Sequence, residues 1–255
     1  MIRRLFTVLI AILCVSTIGA GTSSAEETVV STTLVSDYLF RGQRLGGLSL
    51  QPAAEVTAGD TLAGVTANYP IRDKVTDQSD PEFDFYGTLG FALSRQLRLT
   101  PGFTIYLFPK APTGAGYFRT TIEPNLALSY TVVGVRLTST CYYDVSRKGP
   151  VLELAGVVAL PLRRLGTELD LAASAGHYEF RDASNASGPQ RRTWGTYVSC
   201  TATIPYQISL QSKISVAFTY AAGFDSYGKN GAARSVANPL ATRRGALQVG
   251  YSYVF

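Results

Sequence analysis

The last nine residues, Leu247 to Phe255, place an apolar side chain at every second position (Leu247, Val249, Tyr251, Tyr253, Phe255), with Gln248, Gly250 and Ser252 between them. A period of two marks a β-strand with one apolar and one small or polar face; helical spacing would mix the two sets. The pattern recurs in twelve segments, near residues 29–40, 48–58, 61–69, 82–93, 97–108, 117–131, 134–145, 150–160, 167–180, 193–205, 208–221 and 244–255. Some are very regular. Over 82–93, Phe83, Phe85, Leu89, Phe91 and Leu93 share one face, while Asp84, Tyr86 and Thr88 take the other. Over 208–221, Ile208, Leu210, Ile214, Val216 and Phe218 alternate with Ser209, Gln211, Lys213, Ser215 and Thr219.

The connections divide into two kinds. Even-numbered gaps are short, around Gly59-Asp60, Ser94-Arg95-Gln96, Val132-Val133, Pro161 to Gly166 and Tyr206-Gln207. Odd-numbered gaps are long, as at Arg41 to Gly47, Pro70 to Pro81, Pro109 to Gly116, Arg181 to Arg192 and Ala222 to Arg243; only Ser146 to Gly149 is short among them. Short turns at one end and long loops at the other are the asymmetry of a transmembrane β-barrel. A soluble β-sandwich fits the composition equally well but has no reason to gather its long loops at one end. The expected fold is therefore all-β: a transmembrane antiparallel meander β-barrel of about 12 strands, with ten or fourteen as alternatives. Aromatic residues are expected in two belts on the apolar face, one including Phe40, Tyr69, Phe83, Phe85, Tyr143 and Tyr220, the other Tyr130, Tyr206, Tyr253 and Phe255. Pro52, Pro101 and Pro124 fall inside segments that a closed barrel pairs on both sides. Bulges or nearer strand ends are expected there.

The amino terminus carries an address. Arg3 and Arg4 precede an apolar run from Leu5 to about Ile18, and Ser23 and Ala25 stand at the −3 and −1 positions of a cleavage site. Residues 1–25 read as a secretory signal peptide and 26–255 as the barrel. Cys14 reads as hydrophobic filler, because Leu13 sits where a lipoprotein signal needs a small residue. Removing the two arginines leaves 21 basic against 18 acidic residues, a net charge of +3 where the full chain has +5. So mild a balance gives no case for nucleic-acid binding.

The closing strand resembles the signal by which the barrel assembly machinery of Gram-negative bacteria recognises its clients: a polar residue, then Gly, then two hydrophobic residues, the last one C-terminal. Gln248, Gly250, Tyr253 and Phe255 fit that pattern. Ser36-Asp37-Tyr38-Leu39-Phe40-Arg41-Gly42, with Leu50-Gln51-Pro52-Ala53, resembles the opening of the TorF-type porins, the Gcw-chp family. Pro81 to Gly87 and Tyr117 to Tyr130 look similar to later strands of that family. The resemblance implies an exported barrel of the outer membrane, in contact with its lipid and lipopolysaccharide, and supplies no catalytic residues.

With apolar positions facing lipid, the inner face is expected to receive Asp37, Arg41, Glu55, Asp84, Arg98, Arg119, Glu123, Arg136, Asp144, Glu153, Asp170, Lys213, Arg244 and Gln248. Charge on the lipid face costs about 2–4 kcal/mol for a base at the midplane, so inward placement is close to forced. These groups either line an aqueous channel for small polar solutes, selected by its mixed acid and base lining, or pair across a narrow lumen and close it. The external loops carry an excess of bases, including Arg147, Lys148, Arg181, Arg191, Arg192 and Arg243. Such a rim favours anionic solutes or lipopolysaccharide phosphates, or is ordinary solvated charge.

Enzymatic readings find little support. Acyl-transfer chemistry needs a His beside a Ser and held by a third polar group. The only His is His177, on the outward phase, and the outward serines Ser139 and Ser212 stand at mid-strand, away from its height. Cys141 and Cys200 fall on non-adjacent segments, so free thiols buried as small apolar groups are expected rather than a disulfide. No metal-ligand spacing or phosphate-binding loop is present in the sequence, and no cofactor is expected.

Overall fold

A computed structural model describes residues 26–73, 81–113, 118–181, 191–230, 236–237 and 240–255. The predicted signal peptide, residues 1–25, lies outside them. Twelve strands form the wall: β1 (Glu26–Val35), β2 (Ser49–Ala58), β3 (Thr61–Pro70), β4 (Glu82–Leu89), β5 (Leu97–Leu107), β6 (Thr120–Val132), β7 (Val135–Asp144), β8 (Gly149–Leu162), β9 (Thr167–Phe180), β10 (Arg191–Gln207), β11 (Ser212–Asn230) and β12 (Arg243–Val254). Each pairs antiparallel with its sequence neighbours, Phe91–Ala92 prolonging β4 against β5. The ring closes where β12 returns to β1, with Leu34 opposite Val249 and Val35 opposite Gln248. Among the twelve wall strands no edge is left over, which removes the row of bare N–H and C=O groups that an open sheet would present.

The alternation in the sequence becomes two faces of one cylinder. Outward lie Leu34, Phe85, Phe103, Leu126, Leu128, Leu137, Leu152, Leu154, Phe218, Leu247 and Val249, all large apolar side chains that are 43 to 60 % exposed. An apolar belt running right round a protein is far larger than the patches a water-soluble monomer shows, and hydrocarbon is the solvent that suits it. Tyr143 and Tyr220 stand toward the long-loop end of this face, and Tyr130, Tyr206 and Phe255 toward the short-turn end, all well exposed. Tyr69 and Phe83 meet edge to face at 5.8 Å on neighbouring strands.

Turns at one end are tight. Val133-Gly134 is a two-residue hairpin turn with φ of 49° and 77° between paired Val132 and Val135. That left-handed pair is the backbone twist that continues both strands. Arg163–Leu165 is a single 3₁₀ turn closed by Gly166 at φ 63°. Where the sequence suggested a turn at Tyr206-Gln207, both residues remain in β10 and the chain reverses at Ile208 to Gln211, so β11 starts at Ser212 and runs on to Asn230.

The prolines make no bulges. Each interrupts one ladder while the register continues unchanged beyond it. Between β2 and β3 the pairs Leu50–Tyr69 and Ala53–Thr66 flank a gap at Gln51-Pro52. Pro101 pairs with Leu126 on one side, and on the other faces the break between Leu89 and Phe91. Pro124 pairs with Phe103, but its ladder to β7 begins only at Asn125. One missing N–H per proline costs one bond, and the neighbouring bonds hold the register. In the wall a register shift lies instead at Trp194/Thr196, between β10 and β11, and a second falls outside the wall between Tyr38 and Leu39.

Candidate functional site

The sequence pattern extends the first strand to Phe40, but the wall strand ends at Val35. The Ser36 N–H donates to the Leu247 carbonyl at 2.9 Å, and the Leu247 N–H donates to the Ser36 hydroxyl at 3.0 Å. After this anchor the chain turns into the barrel. Tyr38–Phe40 pairs with Gln43–Gly46 in a separate hairpin, with Phe40 opposite Gln43. Between them Arg41 (φ 48°) and Gly42 (φ 70°) form a two-residue turn of the left-handed kind.

Gly42 could not be another residue. Besides its positive φ, a Cβ there would lie 2.7 Å from the Gly223 Cα and 2.8 Å from the Tyr197 Cβ. The bare backbone lets the hairpin tip dock on the far wall, where the Thr242 N–H donates to the Gly42 carbonyl at 3.0 Å and the Arg44 N–H to that of Leu240 at 2.8 Å. The Gln43 amide reaches the Tyr178 hydroxyl on β9 at 3.1 Å, and the Phe40 ring lies 6.3 Å from that of Tyr106 on β5. Contacts to β5, β9 and β11 from one short hairpin place it across the lumen. Phe40, expected on the lipid face, is therefore an interior residue.

Arg41 is the centre of the arrangement. Its guanidinium donates to both oxygens of Glu123 on β6, at 2.8 and 3.1 Å, and lies 4.8 Å from the Phe40 ring centre and 4.9 Å from that of Tyr142. A bidentate pair in this setting fixes geometry as well as charge. At the foot of the hairpin Asp37 accepts from Arg44 at 2.7 Å and from Arg244 on β12 at 3.1 Å.

Tyrosines supply the next layer. Tyr106 donates to Glu123 at 2.9 Å, Tyr86 to Glu55 at 2.6 Å, and Tyr197 and Tyr142 to Glu153 at 2.7 and 3.5 Å. Two of these rings lie flat over a cross-strand glycine. A Cβ on Gly64 would meet the Tyr86 ring at 2.6 Å, and one on Gly176 the Tyr197 ring at 2.4 Å. Glycine here is what lets the ring reach along the wall to its carboxylate.

The remaining expected inner-face residues spread over the height of the barrel. Asp84 faces inward with one oxygen lacking a hydrogen-bond partner, as does Glu82, the first residue of β4, which the fold buries. Asp144 accepts the Arg147 N–H at 2.7 Å. Arg98 pairs with Asp60 at 2.8 Å near the short turns, and Asp170 is half-buried. Arg119, Arg136 and Lys213 are exposed and outside the central cluster. On the closing strand the Gln248 amide donates to Thr219 at 3.1 Å. Gly250 lies against Ser215 and Thr33, Tyr253 donates to Gln211 at 3.1 Å, and Phe255 is exposed.

Two cavities meet at the hairpin. The larger, of about 330 Å³, is lined by Arg41, Tyr106, Tyr142, Glu153 and Tyr197 together with Ser174, Ser199 and Thr219. The smaller, of about 110 Å³, lies on the other side of Phe40 and Arg41, against Glu123, Asp144, Arg147, Tyr178 and Phe180. Phe40, Arg41 and Tyr106 border both, so these residues stand between two polar compartments.

Solved structures share this architecture. The chain is similar to the NanC porin at 12% identity and a TM-score of 0.50, over 90% of this chain and 99% of that one. It is similar to the KdgM porin, solved in complex with disordered oligogalacturonate, at 8% identity and a TM-score of 0.52, again over 90% and 99%. The fold is that of outer-membrane porins. No family model matches the chain, and no curated protein matches its sequence.

Away from the lumen, His177 faces outward with its Nδ1 3.2 Å from the Thr196 hydroxyl, while Ser212 meets the Tyr251 hydroxyl near the short turns. Cys141 and Cys200 carry free thiols that are exposed on the outer face rather than packed within protein.

Proposed function

We propose that this protein is an outer-membrane channel of the porin kind, passing small polar solutes by passive diffusion. The observation that carries the reading is the pair of polar cavities meeting at Arg41, Phe40 and Tyr106. An inner face built only for packing would fill that space with apolar side chains, whereas this one holds carboxylates, guanidiniums and tyrosine hydroxyls around open volume. In this reading Arg41, Glu123 and Glu153 border the narrowest passage, with Glu55, Asp84 and Asp144 in the lining around it. Asp37 and Arg244 stand at the long-loop mouth, and Arg98, Arg136, Asp170 and Lys213 at the other.

Kinship with the TorF-type porins rests on Ser36 to Gly42 and on Leu50 to Ala53, and the first of these stretches is the one that builds the hairpin. The barrel assembly machinery would read Gln248, Gly250, Tyr253 and Phe255. Outer-membrane lipid and lipopolysaccharide would surround the wall and the basic loops, after export by a cleaved signal peptide.

The hairpin itself favours a second reading, in which the barrel is closed and serves envelope structure or surface attachment. One experiment separates the two. Purified protein in planar bilayers gives discrete conductance steps if it is a channel, and a silent barrel with the correct heat-dependent gel migration supports the closed form.

A further inference from the structure

Three carboxylates around the hairpin are held by hydroxyl groups rather than by bases. Glu55 is fixed by Tyr86 and Glu153 by Tyr197 and Tyr142, and Tyr38 bonds Glu82. A neutral O–H donor orients a carboxylate without cancelling its charge. Among the described residues Glu55, Glu82, Asp84 and Glu153 make no ion pair, while each nearby base is already committed. Arg41 is bound to Glu123, Arg147 to Asp144, and Arg44 and Arg244 to Asp37. Glu82 and Asp84 each bury an oxygen without a partner, a setting that disfavours the charged form, and are left out of the balance. The remaining acids Glu55, Glu123, Asp144 and Glu153 outnumber the bases paired among them, Arg41 and Arg147, a formal balance of −2.

This sign is opposite to that of the loops. Loop charges are solvated and fall off within a Debye length, about 8–10 Å in ordinary salt. Charges inside a narrow passage with low-dielectric walls are focused along it, and act on every ion that enters. The narrow part, rather than the rim, decides which sign of solute passes.

We propose that the passage is selective for cations, with Glu153 as the specificity-determining carboxylate of the larger cavity. The proposal rests on the channel reading above and adds the class of solute: small inorganic cations and organic amines. Glu153 shares that cavity with Tyr106, Tyr142 and Tyr197. Aromatic faces around a carboxylate are the chemistry that takes an ammonium or guanidinium group, and Arg41 already places such a group against Tyr142 at 4.9 Å.

The test is the reversal potential of the purified protein in planar bilayers under a potassium chloride gradient. Wild-type protein is expected to reverse on the cation side, and Glu153→Gln to lower the potassium-to-chloride permeability ratio several-fold. Glu55→Gln is expected to lower it in the same direction, and serves if Glu153→Gln does not fold. Glu179→Gln, on the outward phase of β9, leaves the ratio unchanged. Reversal on the anion side, or a ratio indifferent to both inner substitutions, overturns cation selectivity and leaves the channel standing. A protein silent with and without its hairpin overturns the channel reading and this inference with it.

Discussion

Arg41 and Glu123 are separated by 82 residues in the chain and joined by two hydrogen bonds of 2.8 and 3.1 Å inside the barrel. One belongs to a loop that left the wall, the other to the wall it crossed to reach. Glu123 is 1 % exposed at its side chain and Arg41 11 %. Removing one partner of such a pair strands the other without its counter-charge, at a cost of about 3–5 kcal/mol.

Arg41→Ala is therefore expected to undock the hairpin without unfolding the barrel. Hydrogen exchange measures this directly. The amides of Arg44 and Thr242, which bond Leu240 and Gly42 across the lumen, lose their protection, while those of the β8–β9 ladder keep theirs. Unchanged protection at Arg44 and Thr242 would mean that backbone contacts alone hold the hairpin.

Gly176→Ala places a methyl group within the Tyr197 ring, and the ring must leave its position on Glu153. Overpacking of this kind costs about 1–3 kcal/mol. Gly156→Ala meets only the Leu137 side chain at 3.4 Å, and is expected to stay within about 0.5 kcal/mol of wild type. Urea unfolding in detergent or vesicles reads both, and equal midpoints would contradict the packing described.

Leu128 lies on the outer face at mid-strand, whereas Leu165 projects from the 3₁₀ turn and is 65 % exposed. If the outer face meets hydrocarbon, Leu128→Arg destabilises the folded barrel in vesicles by about 2–4 kcal/mol and Leu165→Arg by less than about 1 kcal/mol. The same two substitutions compared in lipid bilayers would show no difference if that face were not in the membrane.

The wall was legible because its cause is local. Alternation at period two reports which residues share a face, and a strand covered by lipid outside and polar groups inside carries it over its whole length. That is why segments such as 82–93 and 97–108 fall within a residue or two of β4 with its Phe91–Ala92 extension and of β5. The site was less legible for the same reason. Tyr38–Phe40 is itself a short strand, so the pattern runs on through Ser36-Asp37 with no Gly or Pro to mark the exit from the wall. The available signal was Arg41-Gly42, a pair suited to a two-residue hairpin turn between Leu39-Phe40 and Gln43.

Period says which face a residue occupies, never which distant residue it meets. Nothing near Arg41 in the sequence names Glu123, and nothing near Glu153 names Tyr197, 44 positions later.

If the lumen is a polar passage with the Tyr38–Gly46 hairpin lying across it, single-channel conductance responds to removal of the hairpin. Wild-type protein is compared with a variant whose residues 37–46 are replaced by a short Gly/Ser turn. Discrete steps are expected in both, larger in the variant because the hairpin no longer shares the cross-section. Steps of equal size would place the narrowest part elsewhere. Silence from both, with the barrels folded, would mean that the lumen is closed.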